Sequence, residues 1–286
     1  GGVIIIIGIT LSTLLWADLN NIYIWTLLFV SLSLGGLGLL DDMLKIKHKN
    51  SSGLKSKYKF AGQLLIGSLA LYILIRYSNH EFLYDLYFPF FKNLIWHMGL
   101  FFIPFGLFVI IGASNAVNLT DGLDGLATVP VMLVALSFTL ISYVVGNTIF
   151  SEYLQIQYIP DVGELSIFCG SIVGACLGFL WYNAPPAKIF MGDTGSLSLG
   201  GSLAAVAIIV KHEIVLAIIG GLFVLETVSV IIQVISFKLT GRRIFKMAPI
   251  HHHFEKKGWA ESTIVIRFWI IAIILALVGL ATLKLR

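Results

Sequence analysis

Long apolar stretches alternate with short polar segments along the whole chain. Nine apolar windows are distinguished, at residues 3–16, 22–40, 60–77, 98–114, 125–145, 165–182, 196–210, 214–239 and 264–283. Most of them have close to the roughly 20 residues that an α-helix needs to cross a bilayer. The pattern therefore predicts an all-α, polytopic transmembrane helical bundle of nine spans, with residues 1–286 forming a single integral membrane domain.

Three segments depart from a regular span. The sequence begins without Met inside the first apolar window, which indicates an N-terminally incomplete chain. The window 214–239 is long and carries Glu226, so a tilt, a break or an extension beyond the bilayer is expected there. The aromatic loop 78–97 is interrupted by Pro89 and by charges, which favours a small interfacial hairpin or half-helix.

The composition excludes a water-soluble fold. Apolar residues make up 58% of the chain, charged residues 12%, and the mean hydropathy is +0.94. A soluble domain is about a quarter charged. A chain this apolar needs lipid as its solvent, and only helices or closed barrels satisfy the backbone there. No nucleic-acid partner is expected.

Basic residues concentrate in two loops and predict the orientation. Residues 41–59 and residues 237–263 each contain six lysines or arginines. The loops on the other side of the predicted bundle (17–21, 78–97 and 146–164) contain only Lys92. Because basic loops stay in the cytoplasm, the pattern places both basic loops and residue 1 inside and the C-terminus outside.

Acidic and amide side chains cluster at the predicted cytoplasmic ends of the spans. Four of them follow one another with a constant step of three: Asn115, Asn118, Asp121 and Asp124. On a helix or helix terminus this spacing places them on one face. No Lys or Arg lies between Lys92 and Lys188, so a metal ion or the lysines of another loop must balance the charge. Numerous hard oxygen ligands favour Mg²⁺ over zinc. The alternative is that these acids are merely solvated at the end of a span.

Two further motifs and one isolated carboxylate are candidates. Gly192-Asp193-Thr194-Gly195-Ser196 directly precedes a span, where Asp, Thr and Ser are ordinary helix caps. A helix N-terminus also attracts phosphate, and Asp193 could hold a bridging metal. His251-His252-His253 is a poor zinc pattern, so contact with phosphate or sugar is the preferred interpretation. Glu226 is a site candidate because it lies within a span, but a hydrogen-bonded structural role at a helix break is favoured.

Five motifs in this order resemble the polyprenyl-phosphate sugar-phosphate transferases. They are Leu39-Leu40-Asp41-Asp42-Met43-Leu44-Lys45, Asn115-Ala-Val-Asn118-Leu-Thr-Asp121-Gly-Leu-Asp124-Gly-Leu-Ala127, Asn183-Ala-Pro-Pro-Ala-Lys188, Gly192-Asp-Thr-Gly-Ser196 and His251-His-His-Phe-Glu255. The similarity runs from residue 1 to the last span. It implies ten helices, of which this sequence lacks the first, a homodimer, Mg²⁺ as cofactor, and a cleft facing the cytoplasm in the bacterial inner (plasma) membrane.

The triple-histidine motif resembles one branch of that family in particular. With Met247-Ala-Pro-Ile250 before it, it is similar to the members that join UDP-N-acetylmuramoyl-pentapeptide to undecaprenyl phosphate, giving lipid I and UMP in peptidoglycan synthesis. The window 214–239, bent near Glu226, is then expected to form a wall of an apolar groove for the polyprenyl chain.

The resemblance also implies roles for individual residues. The catalytic residues are Asp41, Asp42, Asp193 and His252. Asp193 is the metal ligand, and Asp41 orients or deprotonates the lipid phosphate. Lys45 and Lys57 hold the diphosphate. The uridine pocket comprises Asn118, Asp121, Gly122, Asp124, Asn183 and Phe190. His251 and His252 line the sugar side, and Asn115 and His253 complete the substrate-binding set.

Three other functions compete with this interpretation. A sister transferase acting on UDP-N-acetylglucosamine would share the aspartates, and the triple-histidine motif weighs against it. An intramembrane prenyltransferase would show two Asp-rich motifs of similar form. A secondary transporter would place its ionisable groups at the membrane midplane. Within the favoured function, direct attack by the lipid phosphate and a covalent aspartyl-phosphate route both stay open.

Overall fold

The computed structural model describes residues 1–48, 53–78, 81–91 and 94–284 of the chain. Twelve α-helices are found in these ranges: α1 (Gly2–Trp16), α2 (Ile22–His48), α3 (Ser56–Tyr77), α4 (Phe102–Thr120), α5 (Thr128–Val145), α6 (Thr148–Leu154), α7 (Leu165–Asn183), α8 (Gly192–Ile209), α9 (Glu213–Ile219), α10 (Gly221–Thr240), α11 (Ile250–Glu255) and α12 (Glu261–Ala281). Lys49 and Lys92, which enter the loop-charge argument, lie outside the described residues.

The predicted all-α polytopic membrane fold is confirmed. Eight of the described helices are long and apolar enough to cross a bilayer, and they coincide with eight of the nine predicted windows. The first window corresponds to α1, which is apolar but only 15 residues long. The predicted hairpin in the loop 78–97 is also found, as antiparallel strands β1 (Asp85–Tyr87) and β2 (Ile95–His97).

The window 214–239 contains a break, as predicted, but the break does not lie at Glu226. The window 214–239 is divided at Gly220, between α9 and α10, and α10 then continues without interruption past Glu226. Gly220 and Gly221 are adjacent there, and glycine in a helix interior costs up to about 1 kcal/mol relative to alanine. Two glycines in succession therefore make this the weakest point of the window, whereas a buried glutamate does not by itself interrupt a helix.

Helix α8 lies at the centre of the bundle and packs against α2 and α4. Every residue of α8 from Thr194 to Ile209 is buried. The close approach depends on small residues, as is common between membrane helices. A Cβ at Gly200 would overlap the backbone of α4, and one at Gly201 would overlap Leu34 of α2. This packing brings the ends of α2, α4 and α8 together at one end of the bundle, called here the acidic end.

Candidate active site

Three carboxylates meet at the acidic end. Asp41 and Asp42 lie near the end of α2, and Asp193 lies in the first turn of α8. Each offers an oxygen, and these oxygens all lie within 4.8 Å of one another. Gly38 allows this approach, since a Cβ at that position would overlap the backbone of Asp193. The aspartates of two distant motifs are therefore joined into one cluster.

Two lysines neutralise part of this cluster. Lys45 Nζ lies 2.5 Å from Asp41 Oδ2 and 3.2 Å from Asp193 Oδ2. Lys59 Nζ donates to Asp193 Oδ2 at 2.6 Å. Lys57, which the resemblance assigns to the diphosphate, is exposed. The lysine that follows α2 and reaches the carboxylates is thus Lys59.

Asp42 also caps the start of α8. Its Oδ2 accepts hydrogen bonds from the Thr194 amide at 3.0 Å and the Thr194 hydroxyl at 2.7 Å. Its Oδ1 accepts from the Asp193 amide at 3.2 Å. A carboxylate at this place satisfies free N–H groups and complements the positive end of the helix dipole. The cap of α8 therefore comes from α2, and Asp193 is left free to face the cluster.

The predicted ladder of step three is divided between helix and loop. Asn115 and Asn118 belong to α4, whereas Asp121 follows its last residue and Asp124 lies in the next loop. Asn118 Nδ2 donates to Asp193 Oδ1 at 2.8 Å and so belongs to the cluster. Asn115 instead donates to Gln63 Oε1 of α3 at 3.0 Å, within the bundle. The prediction that all four line one helix face is therefore wrong, because α4 ends before the third.

Asp121 joins the cluster from the loop side. Its carboxylate lies near the Gly192 amide, at the start of α8. Burial, and secondarily the negative charges of Asp193 and Asp42, raises the pKa of Asp121 to about 7, against the lowering effect of the Gly192 amide. A group with this pKa is partly protonated at neutral pH, so Asp121 adds less negative charge to the cluster than its neighbours.

The loops after α4 and α7 hold each other in place. Asp124 Oδ2 accepts from the Ala187 amide at 2.8 Å. Asn183 is buried, accepts from the Thr128 hydroxyl at 2.7 Å and donates to the Ile189 carbonyl at 2.9 Å. Phe190 is 66% exposed beside them and is free to stack on a planar ring. Among the residues assigned to a uridine pocket, Asp124 and Asn183 thus stabilise the loops through hydrogen bonds. Phe190 instead exposes its ring to solvent.

The triple-histidine motif forms the short helix α11. His251 is fully buried, and its Nδ1 lies 3.1 Å from Glu226 Oε2 of α10. His252 is partly exposed and pairs through Nδ1 with Glu255 of the same helix. His253 Nδ1 accepts from the Lys246 amide at 3.0 Å. The three histidines therefore have different surroundings, and they do not converge as zinc ligands.

Several residues of the site were not predicted from the sequence. Lys59 contacts Asp193 directly, and Glu261 Oε1 accepts from the Asp124 amide at 3.0 Å. Trp269 Nε1 donates to the Gly125 carbonyl at 3.2 Å. Lys59 belongs to the same basic loop as Lys57, so the loop could be identified but not the lysine. Glu261 and Trp269 carried no local signal, because an acid or an aromatic near the start of a span is common.

The donor set of the cluster fits Mg²⁺. All three groups are carboxylates, which are the hard oxygen ligands that Mg²⁺ prefers. Two ammonium groups already lie against these oxygens, which shows that the place attracts cations. Asp193 has both a lysine and an amide donor and lies between α2 and α4. Asp193, Asp41 and Asp42 are thus the residues that could hold the metal.

Comparison with known proteins identifies the family. Residues 24–211 match the model of glycosyl transferase family 4. The chain belongs to this family. The matched range includes the whole carboxylate cluster, and the predicted transferase class is confirmed. A phospho-N-acetylmuramoyl-pentapeptide-transferase of Pelagibacter ubique (strain HTCC1062) is 69% identical over 286 residues, which are 100% of this chain and 79% of that protein. The resemblance drawn from the five motifs is therefore confirmed as well.

Proposed function

We propose that this family member transfers phospho-N-acetylmuramoyl-pentapeptide from its UDP derivative to undecaprenyl phosphate, giving lipid I and UMP. The observation that carries the proposal is the position of Lys59. This residue contacts Asp193 and also lines an apolar groove of about 760 Å³ between α3, α4 and α10. A charged cluster at the head of a groove in the membrane-spanning part of the bundle suits an acceptor with a phosphate at one end and a long apolar chain. The name of the relative supplies the donor.

The groove is the proposed path of the polyprenyl chain. Its walls include Phe60 and Leu64 of α3, Leu107 and Phe108 of α4, and Thr227 of α10. A second apolar cavity of about 290 Å³ adjoins it and shares Phe108 and Thr227. The chain of the acceptor already lies in the bilayer, so the walls are proposed to orient it by packing rather than by removing it from water. The walls come mainly from α3 and α4, with α10 contributing one side.

The nucleotide is proposed to bind on the loop side of the cluster. The exposed ring of Phe190 can stack on uracil, and Asp121 lies near Gly192. Lys45 and Lys59 are the cations closest to the place where two phosphates must meet. His252 is partly exposed and its Nδ1 is paired with Glu255, so its Nε2 is proposed to face the sugar side.

The reaction is a substitution at phosphorus. An oxygen of the lipid phosphate forms a bond to the β-phosphorus of the nucleotide, the bond from that phosphorus to the bridging oxygen breaks, and UMP leaves with the electron pair. A phosphate monoester loses its second proton near pH 6, so little base catalysis is needed. Asp193, with Asp41 and Asp42 in reach, would hold Mg²⁺, which would offset the negative charge of the diphosphate.

Asp41 is proposed to orient the acceptor rather than to attack. Its Oδ1 accepts from the Leu54 amide at 2.6 Å, and its Oδ2 lies 2.5 Å from Lys45 Nζ. Both oxygens are thus occupied, which favours direct attack by the lipid phosphate over an aspartyl-phosphate intermediate. The lysine held by Asp41 is then available to bind a phosphate oxygen.

The remaining expectations follow from the basic loops and the resemblance. We infer that the acidic end faces the cytoplasm of the bacterial inner membrane, since Lys45 and Lys59 of one basic loop and His251 of the other lie at that end. The homodimer stays a prediction of the resemblance.

The test is a reconstitution with purified protein, undecaprenyl phosphate, Mg²⁺ and each UDP-sugar in turn, followed by measurement of UMP. Release with the muramoyl-pentapeptide nucleotide is expected, together with loss of activity when Mg²⁺ is removed. Asp193→Asn should abolish release, whereas Asp85→Asn, a carboxylate of the hairpin at the opposite end, should not. Preference for UDP-N-acetylglucosamine would replace the proposal by the sister transferase.

A further inference from the structure

A buried carboxylate and a buried imidazole face each other between α10 and α11. Glu226 and His251 are both fully buried, and Nδ1 of the ring lies 3.1 Å from Oε2. The contact has the distance of an ion pair but not the alignment of a hydrogen bond. Among the described residues, neither side chain has a hydrogen-bond partner. Each group therefore depends on the other for the compensation that a buried polar side chain requires.

The other nitrogen of His251 lies against the loop that follows α4. A Cβ at Gly122 would overlap Nε2 of the ring, so only glycine admits the imidazole at this distance. The neighbouring Asp121 lies near the Gly192 amide, next to Asp193. A continuous series of contacts thus leads from Glu226 through His251 and the loop to the carboxylate cluster.

The same imidazole also supports the next histidine. The ring centroids of His251 and His252 are 4.1 Å apart. His252 has its own carboxylate partner, Glu255, on the same short helix. The position of His252 is therefore determined from two sides, by Glu255 and by the ring that Glu226 holds.

We propose that Glu226 is a positioning residue for the transfer reaction, which holds His251 against Gly122 and so fixes the loop 121–124 beside Asp193. Glu226 has no exposed surface, so its carboxylate is not accessible to a substrate. Without its charge, His251 keeps a buried polar ring with no partner, and either the ring or the loop must move towards water. The inference rests on the proposed function, because the proposed function assigns the loop 121–124 to nucleotide binding.

The test compares Glu226→Gln with wild type. The variant has nearly the same shape, so packing is kept while the charge is removed. We expect the KM for the nucleotide to rise by roughly tenfold or more, the loss typical of a contact to a charged group, while the KM for undecaprenyl phosphate stays unchanged. UMP binding, measured by calorimetry without turnover, should weaken by a similar factor. Glu226→Gln combined with His251→Gln should be no worse than either change alone, since the two residues act as one unit.

The matched control is Glu213→Gln. Glu213 is also buried and also paired, with Lys211 at 2.9 Å, but it lies at the opposite end of the bundle. It should lower thermal stability without changing the KM for the nucleotide or the affinity for UMP. Because Glu213 lines the second apolar cavity, the KM for undecaprenyl phosphate is left out of this comparison. A rise in nucleotide KM of the same size in this variant would show a general effect of losing a buried charge and would overturn the proposal.

The remaining outcomes are also decisive. An unchanged nucleotide KM and unchanged UMP affinity in Glu226→Gln overturn the inference, whatever its stability. If that variant yields no folded protein, the apolar pair Glu226→Leu with His251→Phe is measured instead and must show the same weakening of UMP binding, or the inference is wrong. A third outcome separates the two proposals. If the wild type does not accept the muramoyl nucleotide but Glu226→Gln still weakens UMP binding, the proposed donor is wrong and the positioning role of Glu226 is supported.

Discussion

Asp42 of α2 and Thr194 of α8 are joined by two hydrogen bonds, from the Thr194 amide at 3.0 Å and from its hydroxyl at 2.7 Å, to one carboxylate oxygen. The first turn of the central helix is therefore capped by a residue from another helix. Because Asp193 immediately precedes Thr194, the cap also determines where the Asp193 carboxylate lies relative to Asp41 and Lys45. Folding of the bundle and assembly of the cluster thus share one contact.

The cap predicts that stability and activity separate in variants of Asp42. Asp42→Ala removes the acceptor and should destabilise the protein by about 0.5–2 kcal/mol, the usual contribution of a helix cap. Asp42→Asn keeps one acceptor oxygen and should retain most of this stability, yet it lacks the charge and should lose activity. Thermal unfolding in detergent and UMP release measure the two effects. Equal stability of the two variants would show that Asp42 does not cap α8.

Lys59 and Lys57 form a matched pair on α3. Lys59 contacts Asp193 at 2.6 Å, whereas Lys57 is exposed on the same helix. Lys59→Ala should lower kcat/KM by roughly ten- to a hundredfold, because a contact between charged groups is lost. Lys57→Ala should change it by less than about threefold, as for an exposed charge. Steady-state kinetics with both substrates measures the two effects on kcat/KM. A larger loss in Lys57→Ala than in Lys59→Ala would favour Lys57 as the residue that holds the diphosphate.

His252 is expected to matter for the sugar and not for the metal. Its partner Glu255 holds Nδ1, so Nε2 is the nitrogen left for a ligand. His252→Ala should lower turnover with the muramoyl-pentapeptide nucleotide by about ten- to a hundredfold, from the loss of one charge-assisted hydrogen bond. The Mg²⁺ concentration for half-maximal activity should stay the same. Full activity of the variant would remove His252 from the site.

The orientation can be tested with single cysteines. Cys169 and Cys176 are free and buried, and their replacement by alanine provides a background without thiols. In intact cells, a membrane-impermeant reagent should label Glu152→Cys, which lies on α6, and spare Lys55→Cys, which lies before α3; both positions are exposed. After permeabilisation both should react. If only residue 55 were labelled in intact cells, the topology would be the opposite of the one inferred, and the carboxylate cluster would face the outside.

The sequence by itself determined the class of protein and the residues of the cluster. The length and apolar character of a span are local properties, so eight long membrane helices and the hairpin between α3 and α4 could be predicted without any contact between segments. The five motifs likewise identified the family and directed attention to Asp41, Asp42 and Asp193, which the structure places together.

Only the tertiary structure decided which side chains meet. A membrane helix is apolar on most sides, so its pattern does not determine its rotation about the axis. The choice of Lys59 over Lys57 depends on that rotation, and the pairing of Glu226 with His251 depends on how α10 packs on α11. The end of α4 before Asp121 also became visible only in the structure. The division of the window 214–239 at Gly220 has a local cause, the two adjacent glycines, but the sequence interpretation placed the interruption at Glu226 instead. Contacts of this kind join residues far apart in the chain, such as Asn118 and Asp193, and no local pattern encodes them.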